Sequence, residues 1–368
     1  MRIYKPEICL NQRGKHAYIY RGKFLDELKK DFKRDNVCLK IFYGNSQKKP
    51  DMKEYLWGDN PKKDEPQRNT KLLESTKIKN IFHYEGFAPR VYALFFIDTT
   101  GWPDSSNDGF MAAQLVEDIE GKYDDFSRDK IRKAYRSLEE VGLRYDITSC
   151  QPVPQRSDFI NGKFVDFQTF RLGENYLNII KAIYAGNTRW GTHYYQKIKK
   201  FGLLDAPRDM ENRVDKMELD KVDFNRKSVL DIGCSGGAFC NYAEQQGANR
   251  ILGLDYPKVI EGARLMSNEL EYFNVDYKGM DLAKERINEK FDIVFFLSLD
   301  FHIGIPNWLA DVTNELCIFE INAKGFKDNP SIVKGTEDKL KSMFREVKLI
   351  GKAEDQGDCQ KPIYYCYK

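Results

Sequence analysis

The residues best suited to chemistry lie in one short stretch, Val229-Leu230-Asp231-Ile232-Gly233-Cys234-Ser235-Gly236-Gly237-Ala238-Phe239. Glycines at 233, 236 and 237 let the backbone turn tightly and approach a ligand with no Cβ in the way. At the carboxyl end of a parallel strand, such a loop forms one wall of a binding crevice. Asp231 precedes the first glycine, where its charge would oppose a pyrophosphate and suits a ligand with a positive centre or an amino group. Asp255 ends the next apolar run and can accept two hydrogen bonds from ribose hydroxyls. Asp281, in Gly279-Met280-Asp281-Leu282, can accept from an adenine amino group. Further on, Ser298-Leu299-Asp300-Phe301-His302-Ile303-Gly304 supplies two candidates for a general base. An imidazole titrates near neutrality, so His302 can take a proton from an acceptor hydroxyl or amine, with Asp300 and Tyr194 in reserve.

These residues need strands to carry them to one edge. Apolar runs predict strands over 228–232, 250–255, 273–277, 291–297 and 316–321, and helices follow the first two, over 238–246 and about 259–272. Strands alternating with helices predict a mainly parallel sheet covered on both faces. The tail, 344–353 and 362–367, reads as two strands joined by a turn, an antiparallel edge. The charged stretch 205–226 reads as a connector, partly helical, and the polar stretch 44–71 as a solvated insertion.

The unit V-L-D-I-G-C-S-G-G-A-F, followed by Asp255 and Asp281, resembles the class I S-adenosylmethionine-dependent methyltransferases over roughly 225–368. Ser235 stands where the family's first motif has its middle glycine, and many members read G-C-x-x-G as this chain does. The resemblance implies a Rossmann-like α/β sheet, parallel with an antiparallel edge. It also implies S-adenosylmethionine as cofactor, held by Asp231, Gly233, Cys234, Ser235, Gly236, Gly237, Phe239, Asp255, Asp281 and Leu297. The end of the run 291–297 then faces the methyl group, with His302 and Asp300 on the acceptor side. The lead-in Arg189-Trp190-Gly191-Thr192-His193-Tyr194-Tyr195 suits a lid or a buried amphipathic helix, and the loop together with the nearby His also resembles enzymes that modify wobble uridine in transfer RNA.

Residues 1–175 follow another pattern. Lys40 sits in the apolar run Val37–Phe42, Glu74 in a following segment, 115–121 breaks from a strand into an acidic loop, and Asp146 and Asp166-Phe167-Gln168 come later. This order resembles an α+β protein-kinase-like domain, with Lys40 on the nucleotide phosphates, Glu74 its helix partner, Asp146 the catalytic-loop carboxylate and Asp166 a magnesium ligand. Gly14 and Gly22 make no G-x-G-x-x-G loop, and Gln151 stands where the second metal ligand, an Asn, is expected. The expectation is therefore a degenerate domain that recognises substrate, with ATP and Mg²⁺ binding the alternative.

Composition bounds the rest. At 368 residues the chain is long enough for two domains, expected as 1–175, a helical connector or lid over 176–224, and 225–368. Lys plus Arg (59) against Asp plus Glu (56) leaves +3, which does not indicate a nucleic-acid partner. Eight cysteines without a C-x-x-C pair, and four His, argue against a metal centre and for a reducing compartment. No run approaches the length of a membrane span, so the expected location is the cytoplasm and the expected partner a methyl acceptor on an RNA, glycan or small molecule. A kinase-methyltransferase acting on a glycan end and a non-enzymatic binding scaffold are the alternatives.

Overall fold

The computed structural model describes residues 4–9, 17–24, 37–42, 72–84, 86–98, 110–119, 147–149, 159–160, 163–164, 170–173, 175–186, 210–322, 330–354 and 360–368, with 133, 134, 136 and 198. The chain divides into two compact units, Met1–Ile179 and Ile180–Lys368.

In the first unit, β1 (Tyr4–Cys9), β2 (Ala17–Phe24), β3 (Val37–Phe42), β4 (Val91–Asp98) and β5 (Phe110–Glu117) form an antiparallel sheet in the order β1-β2-β3-β5-β4. Helix α1 (Leu72–Tyr84) lies between β3 and β4 in the chain and is buried along most of its length. Polar side chains lock it to the sheet. The Asn80 amide donates to the Val91 carbonyl at 3.1 Å and accepts from the Val91 N–H at 2.8 Å, and Gln114 donates to the Thr76 hydroxyl at 2.5 Å. Short pairs follow, β6 (Ile147–Ser149) with β9 (Phe170–Leu172) and β7 (Phe159–Ile160) with β8 (Lys163–Phe164). Asp146 and Asp166 lie outside the described residues, as do the insertion 44–71 and the segment 189–195 with Tyr194.

The division between the units falls within α2 (Tyr176–Gly186). In the second unit, α3 (Met210–Lys216) and a single 3₁₀ turn (Leu219–Lys221) occupy the charged connector. Then come β10 (Ser228–Ile232), α4 (Ala238–Gln245), β11 (Arg250–Asp255), α5 (Pro257–Glu269), β12 (Val275–Gly279), β13 (Phe291–Leu297), α6 (Asp300–Ile303), β14 (Thr313–Glu320), α7 (Pro330–Met343), β15 (Glu346–Glu354) and β16 (Gln360–Tyr367). The sheet order is β12-β11-β10-β13-β14-β16-β15, parallel through β14 and antiparallel at β16 and β15.

All five residues of β10 are buried, as an interior parallel strand requires, and alternate residues enter opposite layers. Val229, Ile251, Ile293, Phe295 and Ile318 meet Phe239 and Ala243 of α4 and Ile260 and Ala263 of α5. On the other face, Leu230, Leu254, Val294, Phe296 and Phe319 meet Leu340 and Phe344. Edge strand β15 carries Lys348, Lys352 and a register shift between Leu349 and Gly351, features that blunt an open edge.

Several elements differ from the sequence reading, among them β14, which begins at Thr313 rather than 316, and the short helix α6, which was not expected. Strand β12 begins at Val275 rather than 273, because the Asn274 N–H is taken by the Glu244 carboxylate at 3.1 and 3.2 Å, and Phe273 is buried as core ahead of the ladder. Helix α5 begins at Pro257, whose fixed φ suits a first helical position. Helix α7 was not expected at all: of its core-facing residues, Val333 is separated from Leu340 and Met343 by the charged and polar run Lys334-Gly335-Thr336-Glu337-Asp338-Lys339, and among its described residues Leu340 is the one that is fully buried. Among the described residues, no helix is long and apolar enough to cross a membrane.

Phe295 is fully buried between Phe239, at 5.1 Å between ring centroids, and Phe224, at 6.1 Å. Phe295→Ala should cost about 3–5 kcal/mol by loss of transfer energy and creation of a cavity. Urea denaturation followed by tryptophan fluorescence should show a lower midpoint with an unchanged slope.

Candidate functional site

Strands β11 and β12 lie on one side of β10, and β13 and β14 on the other, so the chain reverses direction across the sheet between β10 and β13. The segments that leave these two neighbours, 233–237 and 298–304, therefore meet at the carboxyl edge. Their contact explains Gly233, which has φ +77° and whose Cβ would fall 2.6 Å from the Leu299 side chain. Gly236 answers to a different neighbour. A Cβ there would overlap the ring and hydroxyl of Tyr184.

The loop is latched to β11. The N–H groups of Gly233 and Cys234 both donate to the Leu254 carbonyl, at 2.8 and 3.0 Å. Ser235, a non-glycine residue with φ +49°, donates its N–H to Asp255 Oδ2 at 2.8 Å, and the Tyr256 N–H donates to Oδ1 at 2.7 Å. Two main-chain donors thus fix the half-buried Asp255 carboxylate at the end of β11. Gly237 caps α4, and behind it the Tyr277 and Ser267 hydroxyls share a hydrogen bond at 2.6 Å, with Ser267 donating to Asn241 at 2.7 Å.

Asp231 lies under the loop, 2% exposed. Burial pushes its carboxyl up to about 7, and the nearby Asp255 charge adds to this, while the Cys240 thiol, which donates to it at 3.6 Å, and the Arg213 guanidinium act in the opposite direction. Cys234 is buried beside it, its thiol pushed well up by desolvation. Phe239 is a core residue, covered by the Arg213 guanidinium at 5.0 Å from its ring centre. Asp281 follows β12 and closes its own turn, accepting from the Ala283 N–H at 3.1 Å and pairing with Lys284 at 3.0 Å. That hydrogen-bonded ammonium, first among the causes, holds its carboxyl below the usual range.

On the β13 side stands a buried polar cluster that local spacing did not suggest. Glu320, fully buried at the end of β14, accepts from Arg213 Nη2 at 2.7 Å through Oε2, and from the Ser298 hydroxyl through Oε1. Lys361, 1% exposed on β16, donates to Ser298 Oγ at 3.0 Å and lies 3.9 Å from Glu320. Ser298 has φ +58°, and its N–H donates to the Glu320 carbonyl at 2.8 Å. Asn322 completes the group by donating its amide to the Ser298 carbonyl at 3.0 Å and its N–H to Asp300 Oδ1 at 2.8 Å. Burial raises the Asp300 carboxyl above its ordinary value, opposed by its main-chain hydrogen bonds and by Lys361. Leu297 is half-buried at the end of β13, and His302 is exposed on α6, its ring edge-to-face with Phe301 at 5.6 Å. The one trace of this cluster in the sequence is a Glu at the end of an apolar run, Leu316-Cys317-Ile318-Phe319-Glu320.

In the first unit Lys40 is half-buried on β3. The Glu74 carboxylate accepts from the Leu172 N–H at 2.6 Å, which ties α1 to β9.

Because its carboxyl is raised to about 7, Asp231 binds a proton more tightly in the folded chain than in the unfolded one. Its contribution to stability is complete below about pH 4 and is lost as pH rises to about 7, by roughly 4 kcal/mol at most. Asp231→Asn should remove that slope, so that urea midpoints of wild type and variant diverge between pH 4 and 7 in favour of the variant. Parallel curves would show that Asp231 does not change its protonation on unfolding.

Residues 230–314 match the family described as "Methyltransferase domain". The chain is similar to "Putative methyltransferase 235L" of Invertebrate iridescent virus 6, 29% identical over 106 residues that cover 28% of this chain and 36% of that protein. It is similar to "Ubiquinone biosynthesis O-methyltransferase" of Acinetobacter baylyi, 31% identical over 84 residues that cover 22% of this chain and 34% of that protein. The chain thus spans about a third of the length of these curated relatives. Among solved structures it is similar to the bifunctional kinase-methyltransferase WbdD, 25% identical with a TM-score of 0.39, over 47% of this chain and 43% of that one. The matched residues 230–314 lie within the carboxyl-terminal unit, Ile180–Lys368.

Proposed function

We propose that the carboxyl-terminal unit transfers a methyl group from S-adenosylmethionine to an acceptor recognised by the amino-terminal half. The observation that carries this reading is Asp255, a carboxylate fixed by the Ser235 and Tyr256 N–H groups beside a glycine loop at the point where the sheet reverses direction. A carboxylate has about four acceptor sites, so one held by two main-chain donors is still suited to ribose hydroxyls. The match of 230–314 to methyltransferase domains supports the reading, as do the names of the two curated relatives.

Bound there, the cofactor would supply an electrophilic methyl on a sulfonium. The chain's part is to hold, orient and remove a proton. Asp231, ionised as its proton leaves near neutrality, suits the positive charge of this ligand, and Gly233 to Gly237 bring main chain against it. Asp300, held by Asn322, and the exposed His302 are the candidate proton acceptors at the end of β13. Alignment of donor and acceptor contributes much of the rate in such a displacement. The acceptor is a hydroxyl or similar group on an RNA, glycan or small molecule. Free thiols at 38, 234, 240, 317 and 366 suit a reducing, cytoplasmic setting.

Calorimetric titration with S-adenosylhomocysteine tests the cofactor. Wild type should bind, and Asp255→Ala should weaken binding by about 1.5–3 kcal/mol, roughly ten- to over a hundredfold. No binding by wild type overturns the reading, and unchanged affinity in a folded variant removes Asp255 from the site.

A second reading, a kinase-methyltransferase acting on a glycan end, is favoured by the first unit's sheet order β1-β2-β3-β5-β4, with α1 inserted after β3 and Lys40 on that strand. Phosphoryl transfer needs Lys40 on phosphate and Asp166 on Mg²⁺, and Gln151 lacks the usual second-metal chemistry. The expected result of a thermal-shift titration with ATP and Mg²⁺ is therefore little or no shift. A robust Mg²⁺-dependent shift, abolished by Asp166→Asn, would promote the second reading.

A further inference from the structure

Buried charge gathers on one face of the second unit's sheet, at its carboxyl edge. Val229 of β10, Ile318 of β14 and Ile363 of β16 all belong to the layer that holds α4. Side chains alternate along a strand, so Asp231, Glu320 and Lys361, each two residues from one of these, face that layer too. Arg213 reaches the same layer from α3 in the connector. It is 6% exposed, with Nη2 2.7 Å from Glu320 Oε2 and its guanidinium carbon 5.0 Å from the centre of the Phe239 ring. Phe239 and Cys240 form the first turn of α4, directly behind the glycine loop, and the Cys240 thiol donates to Asp231 Oδ2 at 3.6 Å. Arg213 therefore rests on the turn that hydrogen-bonds Asp231.

The four charged side chains are neutral in sum only when Asp231 is ionised, because two cations, Arg213 and Lys361, then face two carboxylates. Buried charges are tolerated in such balance and costly out of it. The titratable and charged groups that bear on Asp231 itself are Arg213 from α3, Cys240 from α4, Cys234 from the loop and Asp255 from the end of β11. Arg213 is the cation among these four. Burial and Asp255 oppose the charged form, while the thiol donor and Arg213 favour it.

We propose that Arg213 is a positioning residue of the cofactor site, anchored by Glu320, seated on the first turn of α4 and balancing the charge of Asp231 under the glycine loop. This rests on the methyltransferase reading, in which ionised Asp231 meets the positive charge of S-adenosylmethionine. It gives the connector, as well as the glycine motif, a part in setting cofactor affinity.

Calorimetric titration with S-adenosylhomocysteine, which keeps the cofactor's ammonium, tests this across pH. Arg213→Met alone would strand the buried Glu320 carboxylate, so the main variant is Arg213→Met with Glu320→Gln, which removes one charge of each sign. Circular dichroism and the melting temperature verify its fold. A nearby opposite charge lowers a carboxyl's midpoint by about one pH unit or more, so losing Arg213 moves that of Asp231 upward from about 7. The double variant should then bind about tenfold more weakly than wild type at pH 6, about fivefold at pH 7 and within about twofold at pH 8.5. Arg213→Lys keeps the charge and should keep the wild-type pH dependence. No loss in the folded double variant, or a loss equal at every pH, overturns the proposal and leaves the methyltransferase reading in place. An Arg213→Lys profile displaced like that of the double variant does the same. Absence of binding by wild type at every pH overturns both.

Discussion

A carboxylate with no exposure to water, that of Glu320, organises the carboxyl-terminal unit. Burying such a charge is tolerable only when opposite charge and hydrogen bonds surround it. Arg213 comes from the connector, Ser298 from the exit of β13 and Lys361 from the last strand, so meeting the needs of one side chain requires three distant segments to converge. A buried ion pair contributes little net stability compared with an apolar core of the same volume, but removing one partner alone leaves an uncompensated charge. The cluster therefore acts less as a source of stability than as a condition on geometry. The strand β16 must lie beside β14, and the connector must cross near the strand ends, for the charges to balance.

The same condition reaches the candidate site through strained main chain. Ser235 and Ser298 both occupy the left-handed region at the exits of the two strands that flank the point of reversal. For a residue with a Cβ this costs on the order of 1 kcal/mol or more, and it persists where neighbouring bonds over-determine it. Ser235 is held by the Asp255 carboxylate and Ser298 by the carbonyl and side chain of Glu320. Each turn aims the segment behind it: Gly236 and Gly237 toward the start of α4, and Asp300 toward Asn322. Electrostatics under the loop belongs to the same system, because Arg213 acts on Asp231 as well as pairing with Glu320. One cation thereby connects the glycine loop with the exit of β13.

How much of this was legible beforehand depended on whether the signal was local. Strands β10, β11 and β13 were readable to the residue because an interior parallel strand needs an unbroken apolar run, and nothing else in so short a segment produces one. The glycine loop and Asp255 were readable because a tight turn at a strand end needs backbone freedom at fixed spacing, and Gly233 and Gly237 supply it at positive φ. Helix α7 was not, since its core-facing residues Val333, Leu340 and Met343 are interrupted by a charged and polar run over 334–339. Phe239 drew notice for its place in the motif, and its role is to fill the layer between Phe295 and Arg213.

By itself, then, the sequence determined the alternation of elements, the loop and the carboxylates at the strand ends, all set by neighbours within a few residues. It did not disclose that Glu320 would meet Arg213, 107 residues earlier, or that Lys361 would reach Ser298, 63 residues before it. Nor did it single out Tyr184 as the side chain pressed against Gly236. Those pairings carry no local spacing, because the cost of burying each polar group is met by partners from other strands and helices. Only the closing of the sheet, with β10 beside β13 and β14 beside β16, brings them within hydrogen-bond distance and so decides which of many ordinary charged and polar residues belong to the site.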